Sequence, residues 1–217
     1  MKRSFDPEII DDPNLPEETL ALVYKDLTRT HRFLGNIRAL VLELGRNTHP
    51  IRRVLDIGCG RGELLLEIQR KMGVETVGVD LRVPVTCHSG VPIIQADAVR
   101  DPLPACDGAL AVCVAHHLAD EHVVELIRNV GRFCKRFVIL DLVRHPLPLL
   151  LFRCFVAPFV HWINAADGVS SIRRSYTPAE LESLVRRALH GSPGTYRHSV
   201  GLLYIRQIVD ISYLNHG

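Results

Sequence analysis

The chain has 217 residues, of which 47% are hydrophobic and 23% charged, with a formal net charge of +2. That length suits one α/β domain with a small appendage and leaves a sizeable core to bury. So mild a charge argues against a nucleic-acid binder that relies on counterion release, and the pairs Arg52–Arg53, Arg173–Arg174 and Arg186–Arg187 read as solvated faces.

The first residues, "MKRSFDPEIIDDPNLPEE", are acidic and proline-bearing and lack the apolar core of a signal peptide. Residues 17–46 carry apolar side chains at helical spacing with Gly35 as a break, which predicts two helices. Residues 1–48 are thereby expected to form an N-terminal helical cap on a domain spanning 49–217. "IRRVLDIG" reads as a first strand, and "GELLLEIQRKMG" as an amphipathic helix closed by Gly73. "VETVGVD", "VPIIQAD" and "DGALAVCV" read as strands two to four, "DEHVVELIRNVGRFC" as a helix and "RFVILDLV" as a fifth strand. The link "LRVPVTCHSGVP" between strands two and three leaves little room for a crossover helix, because Pro84, Ser89, Gly90 and Pro92 break it.

The stretch 145–163, "HPLPLLLFRCFVAPFVHWI", is strongly apolar, but Arg153 and Pro146, Pro148 and Pro158 interrupt it. It falls short of the roughly 20 apolar residues of a membrane span. It predicts a buried or lid-like helix within an insertion of about 145–175. "TPAELESLVRRAL" opens with Thr177 as N-cap, Pro178 in the first turn and Glu180 three residues after the cap, a capping box. The end, "TYRHSVGLLYIRQIVDIS", offers two β-rich segments around Gly201. The expected fold is therefore α/β and Rossmann-like: a seven-stranded, mostly parallel sheet with a C-terminal antiparallel hairpin and helices on both faces. Cys59, Cys87, Cys106, Cys113, Cys134 and Cys154 show no CxxC spacing, and several lie in apolar runs, which predicts a reducing, cytoplasmic setting.

"VLDIGCGRGE", residues 54–63, places three glycines in five positions where strand one hands over to a helix. Bare backbone there brings N–H groups and a helix N-terminus close to a ligand above the sheet. The dinucleotide fingerprint G-x-G-x-x-G does not fit Gly58, Gly60 and Gly62. Asp56 would repel a phosphate but welcome an ammonium group. Asp80, ending strand two, is placed for ribose hydroxyls, and Asp97 ends strand three at the same edge. A ligand with a cationic amino-acid end, a ribose and an adenine but no phosphate is S-adenosylmethionine.

These residues resemble the class I methyltransferases over roughly residues 50–145. "VLDIGCGRGE" looks like the first motif of that family, Asp80 its ribose acid, "ADAV" (96–99) its adenine segment and "DGALAVCVAHHL" (107–118) its fourth motif. The resemblance implies that Gly58, Cys59 and Gly60 line the methionine part and that Asp56 contacts it through the loop or water. It implies that Asp80 binds both ribose hydroxyls with Leu81 flanking the adenine, that Asp97 accepts from the adenine amine beside Ala98, and that Val114 walls the sulfonium. Alone, Asp80 or Asp97 reads equally as a helix or turn cap. The segments "DLVRHPLPLLLF" and "DGVSSIRRSYTPAEL" further resemble a branch of bacterial small-molecule methyltransferases often encoded beside type III polyketide synthases. That likeness implies a small, apolar, hydroxylated acceptor.

Methyl transfer to a phenol, whose pKa is about 10, benefits from a base near the acceptor oxygen. The candidates are His116 and His117 after strand four, with Asp141 at the end of strand five as an orienting acid and Arg144 as its partner; capping or surface roles are the alternative for each. In "HHLADEH", His117 and His122 lie five apart beside Asp120 and Glu121, a spacing that does not put two imidazoles on one helical face, so no metal is expected. Phe152, Phe155, Phe159 and Trp162 are expected to supply an apolar acceptor pocket, with Tyr24, Arg38, Arg173, Arg174 and Tyr176 as secondary candidates. The expected partner is a small molecule, with no nucleic acid and no integral membrane span, and a homodimer is compatible with it. Rivals to O-methylation are a quinone-type C-methylation and a non-catalytic cofactor-binding module acting on a partner synthase.

Overall fold

The computed structural model describes residues 1–46, 50–82 and 90–214. The expected boundary at 48/49, the position of Cys87 and most of the link between strands two and three lie outside the described residues. Seven strands, β1 (Arg53–Ile57), β2 (Glu75–Asp80), β3 (Ile93–Gln95), β4 (Cys106–Val112), β5 (Cys134–Leu142), β6 (Thr195–Val200) and β7 (Arg206–Ser212), form one sheet in the order β3-β2-β1-β4-β5-β7-β6. The first five pair in parallel, and β7 runs antiparallel to both β5 and β6. This is the Rossmann-like sheet that the strand–helix alternation predicts.

Period-two alternation along the strands feeds two cores. Leu55, Val77, Ala109, Phe137 and Ile139 face α4 (Asp120–Phe133) and α7 (Pro178–Leu189), whose Leu126, Ile127, Leu181 and Val185 are buried against them. Val54, Leu110, Val138 and Leu140 face the other way, onto Leu40 and Leu44 of α2 (Asn36–Gly45) and Ile68 of α3 (Glu63–Met72). The second of the two N-terminal helices is thus built into the sheet's own core, while α1 (Glu17–Phe33) packs against α2 and α3. Gly35 adopts φ +70 between them, the left-handed conformation that favours glycine at such a break.

The capping box of α7 is formed: Glu180 N–H donates to Thr177 Oγ1 at 3.3 Å and Thr177 N–H to Glu180 Oε2 at 2.8 Å. The apolar insertion is two helices, α5 (Pro146–Phe155) and α6 (Trp162–Arg174), joined by a single turn. Strand β3 is shorter than its sequence run, because Asp97 Oδ1 accepts from Val99 N–H at 2.9 Å and turns the chain away from the sheet. Among the described residues no helix is long and apolar enough to cross a membrane.

Candidate active site

All five parallel strands end on one side, and a cavity of about 530 Å³ opens there. Its floor is made by Gly58 after β1, Asp80 and Leu81 at the end of β2, Asp97 and Ala98 after β3, Val114 after β4 and Leu142 of β5. Gly58 has φ +68, and a Cβ on it would stand 2.6 Å from Val114 Cγ2, so the turn admits only glycine. Gly60 N–H donates to Asp80 Oδ2 at 2.8 Å and Arg82 N–H to Asp80 Oδ1 at 3.1 Å, which fixes that carboxylate at the cavity rim with lone pairs to spare. Tyr24 of α1 lies over Gly60, and burial, followed by the Asp80 charge, raises its phenol above the ordinary value.

Four of the expected residues stand behind this surface. The Cys59 side chain packs with Leu65 and Val91 and fills the space beside Gly78. Gly60 lies under Tyr24. Asp56 is buried, and burial, with Asp80 as the second cause, pushes its carboxyl up to about 8. Asp141 is buried beneath His116. Asp97 acts as a turn cap through Oδ1 while still bordering the cavity.

The opposite end of the cavity is built from distant segments. Cys113, at φ +57, ends β4 in a left-handed turn that swings residues 115–117 into a short 3-10 turn carrying both histidines. Asp141 holds His116 twice, accepting from its backbone N–H at 3.0 Å and lying 2.6 Å from Nδ1 through the other oxygen. His117 Nδ1 is 3.2 Å from Asp11 Oδ2, and the two rings stand 4.4 Å apart. Glu8 reaches in from the N-terminal segment, 3.5 Å from His116 Nε2 and 3.7 Å from His117 Nε2, and accepts from Ser171 Oγ–H at 2.9 Å. Burial opposes charge on His116, but Asp141 and Glu8 more than offset it and push the imidazole up to about 9. Burial also works to raise Glu8, yet His116, His117 and Ser171 bring it below the ordinary carboxylate value.

The N-terminal segment is pinned across this end. Ile9 and Ile10 N–H donate to the two oxygens of Asp167 at 2.7 and 2.9 Å. Arg3 donates to the carbonyls of Arg174 and Leu118 at 2.6 and 3.0 Å and sits 3.7 Å above the Tyr176 ring. Arg174 borders the cavity, whereas Arg38 and Arg173 are exposed.

Residues 28–188 match the family described as "Methyltransferase domain". The chain belongs to that family. No curated protein matches this methyltransferase. Among solved structures, the plantazolicin methyltransferase BpumL in complex with a monoazolic desmethylPZN analog and SAH is 14% identical, with a TM-score of 0.70 and 90% of each chain covered. Human N-acetylserotonin methyltransferase in complex with SAM is 15% identical at TM-score 0.63, covering 98% of this chain and 63% of that one. The methyltransferase domain of bacterial CtHen1-C is 14% identical at TM-score 0.60, covering 82% and 96%. At these identities the likeness shows the fold.

Two expectations about the methyltransferase's acceptor end need correction. Of the four aromatics, only Phe152 borders the cavity, beside Gly168; Phe155 at the end of α5, Phe159 in the turn that follows and Trp162 at the start of α6 are exposed. Arg144 pairs with Glu180 at 2.5 Å and not with Asp141, since the imidazole already occupies that carboxylate. Sequence reading missed Glu8, Asp11 and Asp167. The one available signal was the acidic run "FDPEIIDDP", which no local pattern ties to residue 116.

Proposed function

We propose that this methyltransferase uses S-adenosylmethionine to O-methylate a small, apolar acceptor of phenolic or polyketide-derived type. The observation that carries the reading is a single cavity joining the glycine turn and Asp80 to the His116–His117–Glu8 cluster. The residues at the first end fit the cofactor. A bare turn at Gly58 leaves no Cβ in the way, the Asp80 carboxylate has free lone pairs for ribose hydroxyls, and Leu81, Ala98 and Val99 offer apolar surface to an adenine. When bound, S-adenosylmethionine supplies an electrophilic methyl group on a cationic sulfur.

The chain's own contribution is positioning, water exclusion and proton handling. Val114 separates the two ends, standing against Gly58 and only two residues before His116. The acceptor oxygen is oriented at the histidine pair, where Asp141 and Asp11 fix the rings from behind and Glu8 supplies negative charge. Leu142, Phe152, Val160 and Ile172 enclose the acceptor's apolar body.

The test combines calorimetry with S-adenosylmethionine and S-adenosylhomocysteine and a labelled-methyl assay on a panel of phenols. Micromolar binding and an oxygen-linked label in the product mass spectrum are expected. A carbon-linked label assigns the C-methylation alternative, and uptake of a dinucleotide in place of either nucleoside overturns the reading.

A further inference from the structure

Three ligand-type side chains from distant parts of the chain converge at the acceptor end in a way that proton transfer alone does not require. One donor atom from each of Glu8, His116 and His117 lies within 4.8 Å of the other two. The Nε2–carboxylate separations, 3.5 Å at His116 and 3.7 Å at His117, exceed the roughly 2.7–2.9 Å of a charge-assisted hydrogen bond. His116 Nε2 is buried and has no hydrogen-bond partner among the described residues. These distances come close to the spacing of donors around a first-row cation. With bonds of about 2.0–2.2 Å, neighbouring tetrahedral ligands stand roughly 3.3–3.6 Å apart.

The rear of each ring supports the same conclusion. Asp141 Oδ1 is 2.6 Å from His116 Nδ1, and Asp11 Oδ2 is 3.2 Å from His117 Nδ1. A carboxylate behind each imidazole keeps a proton at Nδ1, so that a cation displacing the Nε2 proton finds the Nε2 lone pair directed forward, as outer-shell carboxylates arrange for metal-binding histidines. Both Nε2 atoms then face Glu8, and all three side chains border the cavity.

We propose that Glu8, His116 and His117 bind a divalent first-row cation of the zinc type, supported by Asp141 and Asp11. Two imidazoles and one carboxylate suit zinc, cobalt, manganese or ferrous iron better than magnesium or calcium, which take oxygen ligands. Three protein ligands leave a position open toward the cavity, the pattern of a reactive site rather than a structural one. An acceptor hydroxyl entering that position would release its proton to water, its O–H bond breaking while the oxygen stays on the cation. This last step rests on the methyl-transfer reading; cation binding does not.

The experiment strips the full-length protein with a chelator and titrates it with Co²⁺, followed by visible absorption, and with Zn²⁺ by calorimetry. One ion per chain is expected, with the absorption of a four-coordinate nitrogen–oxygen site. His117→Ala is the decisive variant, because its side chain is 27% exposed and its removal spares the buried pair. It should weaken Zn²⁺ at least tenfold, and Asp141→Asn roughly ten- to a hundredfold, while S-adenosylhomocysteine affinity stays within twofold in each. No uptake by the wild type, or equal uptake by wild type and His117→Ala, overturns the proposal and leaves an ion-paired cluster. Nucleoside binding without cation binding sinks the cation alone, and cation binding without nucleoside binding sinks the cofactor assignment instead.

Discussion

The two ends of the cavity are assembled on different principles. At the glycine end, Gly58, Asp80, Asp97 and Ala98 come from consecutive strand ends of a parallel sheet, and main-chain N–H groups hold the Asp80 and Asp97 carboxylates. At the histidine end, Glu8, Asp11, His117 and Arg174 arrive from the N-terminal segment, the turn after β4 and α6, and the contacts join groups far apart in sequence through at least one side chain. The difference teaches that geometry set by strand termini is fixed by the sheet itself. Geometry at the histidine end depends on an N-terminal strap that must dock correctly.

The comparison breaks most visibly at Asp80. Asp80→Ala removes the carboxylate that accepts from Gly60 and Arg82 and would take the ribose hydroxyls. At roughly 1.5–3 kcal/mol for each lost charge-assisted bond, nucleoside affinity by calorimetry should fall at least a hundredfold. Unchanged affinity removes Asp80 from the site. His116→Ala should do the reverse. It leaves Asp141 and Glu8 buried without their cation, costing about 3–5 kcal/mol in denaturant unfolding, while the glycine end keeps its affinity for the nucleoside.

Asp56 sharpens the contrast through pH. Its folded carboxyl titrates at about 8, above the unfolded value, so its stabilising contribution is complete at acid pH and fades as pH rises. Relative to Asp56→Asn, wild-type stability should drop by about 1.4 kcal/mol per pH unit between pH 5 and 8 and then level off. A flat difference across that window contradicts the shift. The smallest effect is expected from Arg3→Ala, which loosens the strap by losing the Tyr176 stacking and two carbonyl contacts. Roughly 1–2 kcal/mol of docking should appear as a several-fold rise in acceptor KM with nucleoside affinity unmoved. Equal losses of both would tie the strap to the whole fold.

Legibility followed the same divide. The succession of strands and helices, the Gly35 break and the Thr177–Glu180 capping box were readable because each depends on residues a few positions apart. So was the Gly58–Asp80 end of the cavity, since strand termini in a parallel sheet fall on one edge whatever surrounds them. The exposure of Phe155, Phe159 and Trp162 was not, because apolar composition does not say which side of a helix or turn meets the core. Nor was the meeting of Glu8 with His116.

Taken alone, the order of residues determined a parallel sheet with a glycine turn and carboxylates at its edge, through hydrophobic period and the conformational freedom of glycine. Only the tertiary structure decided that an acidic N-terminal segment closes over two histidines. That contact joins residues more than a hundred positions apart, and it forms because the imidazoles and carboxylates are brought together once the apolar faces have packed.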